Sequence, residues 1–143
     1  MTVKQISVFI ENSPGKLLDF TQLLDDNNIN MNTLSIAETK DFGIVRFITD
    51  DSYKTVSVLR DASYIVQMTD VIVAEVENKP GSLNKVLKLL SESQVNIQYA
   101  YTFTISKNGK AYIVFKTSDL DKTLSVISDN GIKTMTNDEL NNI

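Results

Sequence analysis

Hydrophobic positions recur along the chain with two different periods, and each period predicts one kind of element. A spacing of two, typical of a half-buried strand, is found at Ile6, Val8 and Ile10 and again at Ile72, Ala74 and Val76. The i, i+3, i+4, i+7 spacing of an amphipathic helix is found at Leu83, Val86, Leu87 and Leu90. The pattern therefore predicts a strand followed by a helix near the start of the chain and again after its middle.

The chain also contains an internal repeat. The segment Glu11–Leu17, with the sequence ENSPGKL, returns 66 residues later as Glu77–Leu83, with the sequence ENKPGSL. This offset pairs the only two prolines of the chain, and it pairs Asn30 with Asn96. Farther along, an offset of 68 aligns the FIT and FKT segments that start at Phe47 and Phe115. The repeat predicts two homologous domains, residues 1–69 and 70–143.

Each repeat is predicted to contain a strand, a helix, a hairpin, a second helix and a closing strand. We expect the hairpins at 31–39 with 42–49 and at 97–106 with 110–117, the second helices at 52–61 and 119–130, and the closing strands at 64–68 and 132–136. The dipeptide Asn108-Gly109 favours a two-residue hairpin turn. The order βαββαβ places the chain in the α+β class, with antiparallel sheets and helices on one face of each. No linker is expected, because the strand-like run from Tyr64 to Val76 is broken only at Thr69-Asp70.

The segment between the first strand and the first helix is the candidate ligand site. Proline suits the first turn of a helix, where backbone amides lack helical acceptors and favour an anion such as a carboxylate. The glycine that follows each proline has no Cβ, so a small ligand can approach the backbone. The candidate residues are Asn12, Ser13, Pro14, Gly15, Lys16 and Leu17 in the first repeat, and Asn78, Lys79, Pro80, Gly81, Ser82 and Leu83 in the second.

Asn30 and Asn96 each follow the loop asparagine by 18 residues, at the start of the predicted second strand. With their neighbours Met31 and Ile97 they complete the candidate set. An asparagine pair can donate to a carboxylate and accept from an ammonium, which suits a zwitterionic amino acid. The alternative is that Asn12 or Ser13 is a helix cap and that Pro-Gly only shapes a tight loop.

Composition narrows the classes of function. The chain has no cysteine and no histidine, which removes thiolate metal sites, cysteine nucleophiles and the side chain most often used as a general base. We therefore expect no metal, no cofactor and no catalysis. A net charge of −4 argues against nucleic-acid and membrane partners. Neither a long apolar run nor a signal peptide is recognisable, so we expect a cytoplasmic protein.

The E-N-x-P-G-x-L segment, the apolar helix after it and the asparagine at residue 30 or 96 together resemble the ACT domain. The resemblance covers nearly the whole chain as two tandem copies, and the second copy is the closer match. It implies ferredoxin-like βαββαβ folds that bind amino acids between domains, against the strand-one to helix-one loop. It further implies a stand-alone allosteric regulator of an enzyme in trans. Since exposed sheet edges invite pairing, we also expect a homodimer.

The loop departs from the usual ACT pattern, D-x-P-G. Asn12 and Asn78 replace the aspartate, as in the regulatory domains of phosphoglycerate dehydrogenase and acetolactate synthase. In the serine-binding dehydrogenase domains a histidine precedes this asparagine by two positions, whereas Ile10 and Val76 stand there in this chain. The difference disfavours serine as the ligand.

Two other classes of protein share features with this sequence. The RNA-recognition motif has the same element order, and its mechanism needs aromatic residues on the open sheet face to stack on bases. Phe9 and Phe42 could serve in the first repeat, but the second offers only Tyr112, beside Glu75 and Lys110, and the pI is near 4.8. An enzyme could use the acidic pairs Asp25-Asp26 or Asp50-Asp51, but neither pair recurs in the second repeat.

Overall fold

The computed structural model describes residues 1–103 and 106–143. Residues 104 and 105 of the strand predicted at 97–106 lie outside the described residues. The chain divides into two compact units, one formed by Lys4–Thr69 and the other by Asp70–Ile143 together with Met1–Val3. We call them the first and the second unit. No helix among the described residues is long and apolar enough to cross a membrane.

The first unit has the predicted order of elements. They are β1 (Val3–Glu11), α1 (Lys16–Asp26), β2 (Met31–Glu38), β3 (Phe42–Thr49), α2 (Ser52–Asp61) and the beginning of β4 (Ile65–Glu77). β3 pairs antiparallel with both β1 and β2. Residues from both helices join the alternating residues of β1 in one core: Ile6, Val8, Ile10, Phe20, Leu24, Val56 and Leu59. Both helices therefore cover the same face of the sheet.

The second unit repeats this arrangement. It contains the rest of β4, then α3 (Ser82–Glu92), β5 (Ile97–Thr102), β6 (Lys110–Thr117), α4 (Leu120–Asp129), β7 (Lys133–Thr134) and α5 (Asn137–Leu140). β6 pairs antiparallel with β4 and β5, and β7 pairs with β4. The core again combines one face of the sheet with both helices: Ile72, Ala74, Val86, Leu90, Phe115 and Ile127. Asn108 and Gly109 form the predicted turn, each with a positive φ.

Three details of the sequence-based prediction are wrong. The expected break at Thr69-Asp70 is absent: β4 runs through it with an extended backbone, and the Asp70 carboxylate accepts a hydrogen bond from the Thr2 hydroxyl at 2.9 Å. The closing strand of the second unit is only two residues long. It ends early because Thr136 and Glu139 form a capping box that starts α5, a helix that was not predicted.

Candidate functional site

The loop that joins β1 to α1 has the same backbone conformation as the loop that joins β4 to α3. Gly15, with φ 83° and ψ −11°, is the N-cap of α1, and Gly81, with φ 90° and ψ −13°, is the N-cap of α3. Each helix begins at the next residue, so the expectation that Pro14 and Pro80 lie in the first helical turn is wrong. The left-handed glycine stands between each proline and its helix. Glycine is favoured at this position because a residue with a Cβ is strained at a positive φ, a reason additional to the close approach that glycine allows a ligand.

Neither Asn12 nor Ser13 caps the helix, since the N-cap of α1 receives no side-chain hydrogen bond. The Asn12 amide Nδ2 instead donates to the Thr39 carbonyl at 3.0 Å, and its backbone N–H donates to the Asp41 carbonyl at 3.0 Å. These bonds hold the loop to the segment between β2 and β3. In the second unit the backbone N–H of Asn78 donates to the Gly109 carbonyl at 2.8 Å.

Three backbone amides in each loop are candidates to bind an anion, at residues 15–17 and 81–83, and the middle one of each three is already bonded. The Lys16 N–H donates to the Ser13 carbonyl, and the Ser82 N–H to the Lys79 carbonyl, both at 3.3 Å. Within the described parts of the chain, the other two have no hydrogen-bond acceptor: Gly15 and Leu17 in the first unit, and Gly81 and Leu83 in the second. Each loop therefore presents two donors at the positive end of a helix, an arrangement that favours an anion.

Asn30 lies at the opposite end of the first unit from Asn12. Asn12 bonds to Asp41, just before β3, while Asn30 exchanges hydrogen bonds with Asp50, just after β3. The eight residues of β3 separate these two contacts by about 26 Å, far more than the length of a free amino acid. One ligand cannot touch both asparagines of the same unit.

The second unit has the same separation. Asn78 bonds to Gly109 before β6, and the Asn96 carbonyl accepts from the Ser118 N–H after β6, at 3.0 Å. The neighbours Met31 and Ile97 are half-buried at the starts of β2 and β5, where they pack against the cores. The structure thus brings residues 12–17 together within the first unit and residues 78–83 together within the second, but in neither unit does it bring the strand-start residues to the loop.

A small cavity adjoins the first loop. It has a volume of about 150 Å³ and is lined by residues of the loop and of β1, α1, β2 and β3: Ile10, Glu11, Asn12, Ser13, Leu17, Ile36, Glu38 and Gly43. The mixture of apolar side chains with a few polar groups is typical of small-molecule sites, and the volume is small even for that class. It suits a ligand of a few heavy atoms.

Some of the residues that supported the two other classes have structural surroundings that argue against those roles, whereas Phe9 and Phe42 are exposed. Tyr112 is only 5% exposed, so its ring cannot stack on a base. Asp51 caps α2 by accepting from the Lys54 N–H, and Asp50 accepts from the Asn30 and Asp51 N–H groups. Among residues 1–103 and 106–143, no group of three or more His, Cys, Asp or Glu side chains could hold a metal ion.

Comparison with known proteins agrees with the fold. Residues 1–143 match the family model of the ACT domain pair. The chain belongs to this family. The prediction of two ACT-like domains in tandem is confirmed, and with it the ferredoxin-like fold.

Two crystal structures illustrate how the ACT pair of this chain relates to solved proteins. Protein BT0572 from Bacteroides thetaiotaomicron is 37% identical, with a TM-score of 0.93 over 100% of this chain and 98% of that chain. The ligand-free regulatory subunit of aspartate kinase from Thermus thermophilus is 13% identical, with a TM-score of 0.65 over 90% of this chain and 92% of that chain. The second likeness concerns the fold alone. No curated protein sequence matches this chain.

Proposed function

We propose that this ACT domain pair binds a free amino acid at the loops 12–17 and 78–83 and regulates an enzyme in trans, in the cytoplasm and without catalysing a reaction itself. The observation that carries the proposal is the pair of unbonded amides beside a left-handed glycine, present in both units at equivalent positions. Membership of the ACT family over the whole chain supports the regulatory role.

The chemistry of a zwitterion matches the groups at the first loop. Its carboxylate would accept from the N–H groups of Gly15 and Leu17, aided by the dipole of α1. The Asn12 Nδ2 is committed to Thr39, which leaves the side-chain Oδ1 to accept from the ammonium. The second loop offers the same groups at Gly81, Leu83 and Asn78.

A thermal-shift screen of the twenty amino acids tests this function. A ligand that binds only the folded protein adds about 2.7 kcal/mol of stability at a hundredfold excess over its Kd. The N-acetyl amide of the same amino acid, which lacks both charges, should give no shift. If oligonucleotides stabilise the protein and none of the amino acids does, the function proposed here is wrong and RNA binding takes its place.

Two asparagine variants of the second unit locate the bound amino acid. Asn78→Ala should weaken binding by about 1–3 kcal/mol, the usual loss for a hydrogen bond to a charged group. Asn96→Ala is the matched comparison, because Asn96 lies at the other end of the unit. Unchanged affinity in Asn96→Ala would confine the site to the loop. A loss of affinity would mean that Asn96 belongs to the site and that the loop 78–83 alone does not form it. Asn12→Ala reports on the first loop in the same way.

We also propose that the protein is a homodimer, as the exposed sheet edges of such folds favour. Sedimentation measurements over a range of concentrations test this directly. A monomer at every concentration would contradict it without affecting the amino-acid site within each unit.

A further inference from the structure

The second unit contains a cavity of about 330 Å³ bounded by the end of β4, the beginning of α3 and the turn that joins α4 to β7. The charged side chains that line it are Lys79, Lys85, Lys110, Lys133, Glu75 and Glu77. We call it the lysine cavity. Val76 and Val86 supply an apolar part, and Ser82 adds a hydroxyl at the first residue of α3.

The lysine cavity is positively charged in a protein that is acidic overall. The chain has a net charge of −4, yet four lysines face only two glutamates here. Two of these lysines have partners: Lys79 pairs with Glu77, and Lys133 pairs with Glu139 at 3.0 Å. Among the residues that the structure describes, Lys85 and Lys110 have no carboxylate within ion-pair distance. Two lysines are therefore left without a carboxylate partner, against one further carboxylate of the lining, Glu75, so the cavity keeps a positive excess.

The first unit shows that the fold does not need these lysines. At the equivalent positions it has Ser13, Asp19, Phe42 and Ile65. Its counterpart cavity, of about 260 Å³, is lined by Phe9, Ile10, Glu11, Lys16, Asp19 and Tyr64. A duplicated fold repeats the residues that its scaffold requires, as it does with the N-cap glycines. Four lysines that appear in one unit only, around one cavity, point to a role in binding.

We propose that the lysine cavity binds a small dianion, a molecule with two carboxylates or one phosphate group, at a site that shares Lys79 and Ser82 with the proposed amino-acid loop 78–83 and extends from it to Lys110 and Lys133. The lysine ammonium is a compact charge with three donors and binds either group. α3 begins at Ser82, so the positive end of its dipole adds to the attraction. The volume lies at the lower end of the range for small-molecule pockets, which suits a small ligand.

Calorimetric titration at low ionic strength tests the proposal with four probes. Inorganic phosphate and succinate represent the two sources of a dianion, acetate represents a monoanion, and glycerol is neutral. We expect saturable binding of phosphate, succinate or both, at least about tenfold tighter than acetate, and no binding of glycerol. Binding of only one dianion would identify which chemistry the cavity selects. Absence of saturable binding for both dianions would overturn the proposal.

A matched pair of variants locates the bound dianion. The double variant Lys85→Gln, Lys110→Gln removes the two lysines without ion-pair partners and should weaken binding by a factor of about 10 or more. Lys88→Gln removes a lysine from the same helix, outside the cavity lining, where its side chain is 72% exposed. It should leave the affinity unchanged. Equal losses in both would show only general attraction by the protein charge and would contradict a built site.

The two proposals can be told apart although the lysine cavity and the loop 78–83 share Lys79 and Ser82. The thermal shift produced by an amino acid should persist in the Lys85→Gln, Lys110→Gln variant, because neither residue belongs to the loop 78–83. Chemical-shift changes of backbone amides supply a second readout in the wild-type protein. Phosphate or succinate should move the amides near residues 85, 110 and 131–133, and changes confined to other regions would place the anion elsewhere.

Discussion

The hydroxyl oxygens of Thr117 and Thr123 lie 2.7 Å apart and join the end of β6 to the first turn of α4. Thr123 also donates to the Asp119 carbonyl at 2.6 Å, and both threonines are buried. The first unit has the same pair in Thr49 and Thr55, at 3.0 Å. Because the pair is repeated, it belongs to the scaffold of the fold, unlike the unrepeated lysines.

Thr123→Val should lower the free energy of unfolding by about 1–3 kcal/mol. The substitution keeps the shape of the side chain but takes from the buried Thr117 hydroxyl its close partner. Urea denaturation measures the loss. The double variant Thr117→Val, Thr123→Val should recover part of it, since no hydroxyl is then left without that partner. A single variant as stable as the wild type would contradict the importance of the pair.

Gly81→Ala should destabilise the protein by about 1–2 kcal/mol, because an alanine is strained in the left-handed conformation. The added Cβ itself would meet no atom within 4 Å, so crowding is not the cause. Gly43→Ala is the control. Gly43 lacks a positive φ, its Cβ would lie 3.5 Å from Ile10 Cγ1, an ordinary contact, and the second repeat has Ala111 at this position. Its effect should stay within about 0.5 kcal/mol, and equal losses in the two variants would exclude the conformational explanation.

The contribution of Glu139 to the free energy of unfolding should decrease as the pH falls into the acid range. The Thr136 backbone N–H, and after it Lys133, lower the pKa of the Glu139 carboxyl in the folded protein. Its contribution is therefore complete above the unfolded pKa, about 4.3, and is lost as the pH falls through the lower, folded pKa. An NMR titration of the Glu139 carboxyl carbon measures its pKa in the folded protein. Lys133→Met should raise the pKa of Glu139 only part of the way, because the Thr136 bond remains.

The pKa of Glu77 reports on the lysine cavity. It is lowered first by the hydrogen bond from Lys79 and, through charge alone, by Lys110 and Lys85. Lys79→Gln should therefore raise the pKa of Glu77 more than Lys110→Gln does. Carbon-detected titration of the two variants gives the order, and the reverse order would contradict the contact between Lys79 and Glu77.

The two hydrophobic periods predicted the order of elements well, because each long element has one buried face that repeats along the sequence. The position of Asn30 could not be read in the same way. Asn30 follows Asn12 by 18 residues, and the segment between them contains the whole of α1, which carries the chain to the opposite end of the unit. Linear spacing shows that two residues are repeated together but not that they meet.

The hydrophobic pattern predicted neither the short helix α5 nor the cluster of lysines at the cavity. α5 has four residues, too few for a helical period, although the T-x-x-E spacing of Thr136 and Glu139 is a recognisable capping box. The lysines of the cavity come from separate segments that only strand register and helix packing bring together. Comparison of the two repeats position by position would have revealed them, since the charges differ where the scaffold does not.

A cut between Thr69 and Asp70 separates the two sequence repeats without separating two intact bodies. Met1–Val3 pack with the second unit, and Thr2 bonds to Asp70 there. A fragment of residues 70–143 would therefore lack three residues of its own unit, and the chain remaining at 1–69 would carry them as an unpaired extension. The cut would also fall inside the continuous strand β4, where no loop exposes the backbone to a protease. Dissection of this protein must therefore rely on substitutions in the intact chain rather than on isolated halves.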